Sequence, residues 1–161
     1  MAIARMISFD VHNSRFQFRA AAVIEHHGAI LLHRAVHDEF WALPGGRVEL
    51  GEHAGATIVR ELREELNESI QCGELLYVVE NFFDYSSRRY HEIGLYFRAR
   101  LMGTSKLLDQ AGPFFGVDAG TRLEFAWFER SRLADIDVRP AFLRQSLSRA
   151  ELTFEHVVQH V

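Results

Sequence analysis

Four glutamates define the chemistry open to this chain. Glu61, Glu64 and Glu65 stand three and four positions apart in Arg60-Glu61-Leu62-Arg63-Glu64-Glu65-Leu66. In a helix that spacing puts the three side chains on one face. Glu52 lies nine residues before Glu61. Carboxylates gathered this way repel one another unless cations neutralise them. Arg60 can reach Glu64 one turn further on, or turn back toward Glu52, but it cannot balance the whole group. The natural remainder is a hard divalent cation, magnesium or manganese, which prefers oxygen ligands. Next to a glycine turn, Pro44-Gly45-Gly46, such an ion suits phosphate chemistry: it can bridge phosphate oxygens, polarise phosphorus and activate a water. The plainer alternative is a solvated helix face, where charges of both signs pair along the surface.

The acidity of the protein is concentrated in the same place. From Glu49 to Glu68 there are six glutamates and two arginines, an excess equal to the net charge of −4 carried by all 161 residues. The remainder of the chain is balanced. A helix so acidic repels phosphate, so metal is the expected intermediary.

The elements that must hold these groups follow from periodicity. Glu52 to Leu66 reads as a helix, with Ala54, Ile58, Leu62 and Leu66 as its apolar stripe and Asn67 as a left-handed cap. Phe16 to Ile24 alternates and then turns wholly apolar, as a strand entering a core does. His26-His27-Gly28 forms a turn into a second strand, Ala29 to Leu32. Gly73–Phe83 and Tyr90–Arg100 are expected to form an antiparallel pair, and Leu123–Phe128 a further strand. The segment 102–121 reads as irregular, with 103–121 a candidate specificity loop. Pro140 opens an expected helix over Ala141–Ala150, with Phe142, Leu143 and Leu147 inward. Glu151–Val161 is either a short strand or a tail. Strands broken by one central helix, with another at the end, give an α/β (α+β) sandwich over a single domain, 1–161.

Composition narrows the classes. With 48% hydrophobic residues the chain can fill a core, and a pI near 6.1 argues against a dedicated nucleic-acid binder. Cys72 stands alone, which excludes an internal disulfide and a multi-cysteine zinc site. Met1–Asp10 has neither the charge nor the apolar run of a signal peptide or anchor. No stretch reaches the length of a membrane span. A cytoplasmic protein without a membrane or stable nucleic-acid partner is expected, with a homodimer allowed.

From Gly46 through Glu52 to Arg60-Glu61-Leu62-Arg63-Glu64-Glu65, preceded by Leu43-Pro44-Gly45, the sequence resembles the signature box of the Nudix hydrolases. It departs where the box normally ends in glycine and an aliphatic residue: here stand Asn67 and Glu68. Asparagine tolerates the left-handed turn, and the aliphatic anchor moves to Ile70. The resemblance implies a Nudix-like α/β/α sandwich with a mixed sheet. It also implies hydrolysis of a nucleoside diphosphate linked to another moiety, by water attack on phosphorus with Mg2+ or Mn2+. The alternative is a non-catalytic, Nudix-like nucleotide-binding domain. By likeness, Glu61, Glu64, Glu65 and the Gly45 carbonyl are metal ligands, and Arg60 and Glu52 orient the carboxylates. Glu61 is also a candidate for positioning and deprotonating water. Glu124 is the candidate later acid, for metal binding or catalysis, with Glu80 and Glu92 as rivals. His91 is a candidate base, more simply read as structural. Arg34 stands where similar proteins place a phosphate-binding arginine, and Arg19 is a second substrate-facing candidate. Phe40 and Phe83, among Trp41, Phe82 and Tyr85, are candidates for stacking on a base. Arg88 and Arg89 are candidates for attracting an anion.

Overall fold

The computed structural model describes residues 5–160; the first four residues of the Met1–Asp10 stretch, and Val161, lie outside the described residues. Among the described residues nine strands form one sheet: β1 (Ser8–Val11), β2 (Ser14–His26), β3 (Ala29–Ala35), β4 (Gly45–Arg47), β5 (Ile70–Tyr85), β6 (Arg88–Leu101), β7 (Phe114–Asp118), β8 (Thr121–Glu129) and β9 (Glu155–His160). The order is β7-β8-β3-β2-β6-β5-β9, with β1 and β4 added to β2. β2 runs parallel to β6 and β5 parallel to β9, while the other pairs are antiparallel, so the sheet is mixed.

β2 is apolar on both faces because both are covered. Ala20, Ala22 and Ile24 join a core with Ile58 and Leu62 of helix α1 (Ala54–Leu66). Ala21 and Val23 join a second core with Leu133, Leu143 and Leu147 from the opposite layer. Helix material thus covers both sides, giving the α/β/α sandwich. Among the described residues no helix is long and apolar enough to cross a membrane.

The sheet is split near its centre. β2 and β3 pair only next to their turn, at Glu25–Ile30 and His26–Ala29. Beyond that they diverge, and the chain from Trp41 to Arg47 is laid into the gap. Ala42 exchanges backbone hydrogen bonds with His33 on one side. Gly45, Gly46 and Arg47 pair with Ala21, Ala20 and Arg19 on the other. A Cβ on Gly45 would collide with the Ala20 carbonyl, so only glycine lets β4 lie this close.

Several sequence expectations need correction. α1 starts at Ala54, capped by the His53 ring, whose Nδ1 accepts from the Ala56 amide; Glu52 precedes it. The segment 102–121 is not irregular throughout: it contains a 3-10 turn (Lys106–Asp109) and β7, which exists because β8 supplies its hydrogen-bond partners. The expected helix over Ala141–Ala150 shrinks to one turn, α2 (Leu143–Ser146). Leu143 and Leu147 are buried as expected, and Phe142 is half-buried against Tyr77 and Tyr96. Of the two readings of 151–161, the strand holds for β9. Asn67 does take the left-handed conformation (φ 56°), and Ile70 is buried as the anchor.

Candidate active site

α1 brings the glutamates together, but unequally. Glu61 and Glu65 are 4% and 6% exposed, while the Glu64 side chain is 57% exposed at the rim. Arg60 is the hub. Its guanidinium contacts Glu52 at 2.8 Å, Glu61 at 3.0 Å, Glu64 at 3.2 Å and Glu49 at 3.6 Å. It also donates to the Arg47 carbonyl at 3.2 Å, tying the helix to β4. Glu52 accepts from Arg60 and from the Thr57 hydroxyl at 2.6 Å. The Arg60 bond, with help from Thr57, holds the Glu52 carboxyl down at about 2, below its ordinary 4.5.

This depression has a sign that can be tested. A carboxyl whose folded value is lowered adds stability above its ordinary value, and loses that contribution as pH falls through 4.5 toward 2. Glu52→Gln is therefore expected to unfold about 2 kcal/mol more easily than wild type at pH 7. Denaturant titrations at pH 7, 4 and 2.5 should show the gap closing as the wild-type carboxyl takes up its proton.

Glu61 and Glu65 are a coupled, buried pair. Burial raises both, Glu65 to about 9, and the charges of Glu61 and of Asp118 push Glu65 further in the same direction. One oxygen of Glu65 is buried without a hydrogen-bond partner and lies 4.0 Å from Nδ1 of His33, which is equally unpartnered. Burial, with Arg19 nearby, keeps His33 neutral, its value pushed down to about 3. Gly46 and Gly116 allow this crowding: a Cβ on Gly46 would strike the Glu61 carboxyl, and one on Gly116 the Glu65 backbone carbonyl.

Among the described residues no three His, Cys, Asp or Glu side chains are gathered closely enough to hold a metal ion. The physical reason is Arg60, whose guanidinium sits among Glu52, Glu61 and Glu64 and separates them. The donor set nonetheless fits a hard divalent cation. It is all oxygen, and it includes two buried carboxyls whose proton affinity burial raises, that of Glu65 further through the charge of Glu61, and one oxygen with nothing to accept from.

A cavity of about 700 Å³ opens against the split in the sheet. Arg19, Arg34, Phe40 and Phe83, all anticipated as substrate-facing, line it. Arg47 and Asp118, which sequence reasoning missed, line it too. Arg47 is directly opposite Arg19 across the β2–β4 pair, and Arg19 also donates to the Leu43 carbonyl. Two like charges placed opposite one another are unfavourable without a negative group between them. The signal for Arg47 was in the sequence, one residue beyond Gly46, but the pairing with Arg19 was not.

The acids beyond the helix separate cleanly. Glu124 on β8 is bound by Arg34 at 3.0 Å, and Arg34 also lies over Trp41 at 4.5 Å. Glu80 bonds His156 at 2.7 Å on the face turned away from the cavity. Glu92 lines the cavity. His91 stacks on Phe82 and meets Phe16 edge-on, which suits a structural role. Arg88 is paired with Asp10, and Arg89 lines a smaller recess with His91 and His160.

The domain model of the NUDIX domain matches residues 15–145. The chain belongs to the NUDIX domain family, and with it to a class of hydrolases. The Bacillus subtilis (strain 168) protein YjhB is 40% identical over 52 residues, 32% of this chain. The chain spans 25% of the length of that curated relative. Among solved structures, a NUDIX hydrolase from Nitrosomonas europaea superposes with a TM-score of 0.64 at 22% identity, covering 88% of this chain and 77% of the other. The MutT protein of Bacillus halodurans gives 0.62 at 16% identity, over 87% and 86%. A UDP-X diphosphatase gives 0.60 at 19% identity, over 88% and 66%. These likenesses establish the fold.

Proposed function

We propose that the protein hydrolyses the diphosphate linkage of a nucleoside diphosphate joined to another moiety, with magnesium or manganese, in the cytoplasm, where the unpaired Cys72 suits a reducing compartment. The observation that carries this reading is the buried Glu61–Glu65 pair, with its unpartnered oxygen, close to the opposed Arg19 and Arg47 of the cavity. Arg19 ties the two together, since its charge acts on both Glu65 and His33.

Glu61, Glu64 and Glu65, with the Gly45 carbonyl, would hold the ion. Bound there, it would neutralise charge on the diphosphate and ease the loss of a proton from water. The chain's own residues do the rest. Arg19 and Arg47 bind diphosphate oxygens. Arg60 and Glu52 fix the helix carboxylates against β4. Glu124 holds Arg34 at the cavity wall, and so serves as a positioning residue. The attacking water forms a bond to one phosphorus, the bridging P–O bond breaks, and the second phosphate leaves with the electron pair. The water's proton passes to a carboxylate of the Glu61, Glu65 and Asp118 group.

The test is a metal-supplemented screen of nucleoside triphosphates, nucleotide sugars and dinucleoside polyphosphates, with products identified. Turnover should require Mg2+ or Mn2+ and stop with EDTA, and isotopically labelled water should leave its oxygen on phosphate. Metal-independent binding without turnover would favour the non-catalytic reading instead.

A further inference from the structure

One buried carboxylate in the cavity has no part in this mechanism. Glu92 is 3% exposed in the middle of β6. Register places it opposite Gln17 on β2 and Asn81 on β5, so the three side chains form one row across three adjacent strands. All three line the cavity. Gln17 Nε2 donates to one Glu92 oxygen at 2.5 Å, and Asn81 Nδ2 donates to the other at 3.4 Å. Burying a carboxylate is unfavourable unless its lone pairs are used, and two amide donors satisfy only part of what it can accept.

The orientation of the amides decides what the row can read. Both direct their NH2 groups at Glu92, which leaves their carbonyl oxygens for other partners. The row therefore offers acceptors: the remaining lone pairs of a carboxylate flanked by two amide carbonyls. It spans two inter-strand spacings, roughly 10 Å. A ligand that matches it carries several hydrogen-bond donors spread over that width. A sugar does, through its hydroxyls. The donor edge of a purine is far narrower. The row also lies between two features of other character. Two residues along β2 is Arg19, at the phosphate end; two residues the other way, Phe83 and Tyr90 stack with centroids 4.9 Å apart.

We propose that Glu92, supported by Gln17 and Asn81, selects substrates in which a sugar is attached to the diphosphate, by accepting hydrogen bonds from its hydroxyls. This rests on the pyrophosphohydrolase reading and deepens it. The position chosen by the row is the group beyond the phosphates, whatever the base.

The experiment compares one nucleoside diphosphate carrying a hexose with the same nucleoside diphosphate carrying a propyl group. Wild type, Glu92→Gln and Asn81→Leu are compared by kcat/KM with magnesium. Wild type should prefer the hexose by at least about tenfold, and Glu92→Gln should cut that ratio by about tenfold or more, as loss of a charged acceptor does. Asn81→Leu keeps the shape of the side chain and should cut the ratio less. A wild-type ratio near one, or a ratio unchanged in Glu92→Gln, overturns the proposal. If both variants fail to fold by circular dichroism, the wild-type ratio alone decides. If wild type turns over neither compound, the pyrophosphohydrolase reading fails, and the same ratio measured by calorimetric binding still decides the role of Glu92.

Discussion

Glu65→Gln is expected to lower kcat on the order of 10²–10³-fold, the scale seen when one charge-stabilising group is removed from an active site, while making the metal-free protein more stable. The two effects have one origin. Glu65 is buried next to Glu61 and Asp118, and its proton affinity is raised to about 9. Between its ordinary value and that figure the folded state holds a proton that the unfolded state releases. The stability of the metal-free wild type must therefore fall as pH rises across that window. The glutamine has no proton to lose, so its stability profile should be flatter there. Thermal melts from pH 5 to 9, with and without magnesium, check this. Magnesium should raise the wild-type melting temperature most at high pH and leave Glu65→Gln almost unmoved. An equal magnesium response in both proteins would remove Glu65 from the ligand set.

Arg60→Met should be strongly destabilising. Arg60 is the shared partner of Glu49, Glu52, Glu61 and Glu64, and methionine keeps much of its length without the charge. Breaking partly buried pairs while the carboxylates stay behind costs about 3 kcal/mol. The loss should be partly restored by millimolar magnesium, because a ligand that binds only the folded state stabilises it by mass action. A loss that magnesium does not touch would mean that Arg60 only ties α1 to the Arg47 carbonyl. Chemical denaturation with and without the ion separates the two.

The site was legible in the sequence wherever one element carries it. The four-residue spacing of Ile58, Leu62 and Leu66 and the offset Glu61, Glu64 and Glu65 set both faces of α1 without help from the rest of the chain. Arg19 and Phe83, in the sequence no more than candidates beside a plainer rim or core reading, do line the cavity. What stayed hidden depends on partners far away along the chain. Asp118 lies in a stretch dense in glycine and aspartate with no period of its own, and it is placed only because β8 pairs with β7. Arg47 acquires its place only because β4 sets it opposite Arg19. Choosing among Glu80, Glu92 and Glu124 required knowing which face of which strand is covered, and that depends on α2 and β9, where local pattern was weakest. The one-turn α2 is a further case: Pro140 and the apolar residues suggested more helix, but packing against Leu133 and Tyr77 needs only one turn.

The alternation along β2 has a consequence for how such a protein can change over time. Its even-numbered residues, Ala20 and Ala22, pack toward the helix that carries the glutamates; its odd-numbered ones, Arg15, Gln17 and Arg19, face the cavity. One strand thus turns its even-numbered side chains to the carboxylate helix and its odd-numbered ones to the cavity, and only Arg19 among the latter acts on Glu65. Substitutions at Gln17, or across the sheet at Asn81 and Glu92, can redraw which compounds are accepted without passing through intermediates that have lost the carboxylate helix. Beyond Arg19, the two faces of β2 are kept apart by nothing more than the two-residue repeat of an extended chain.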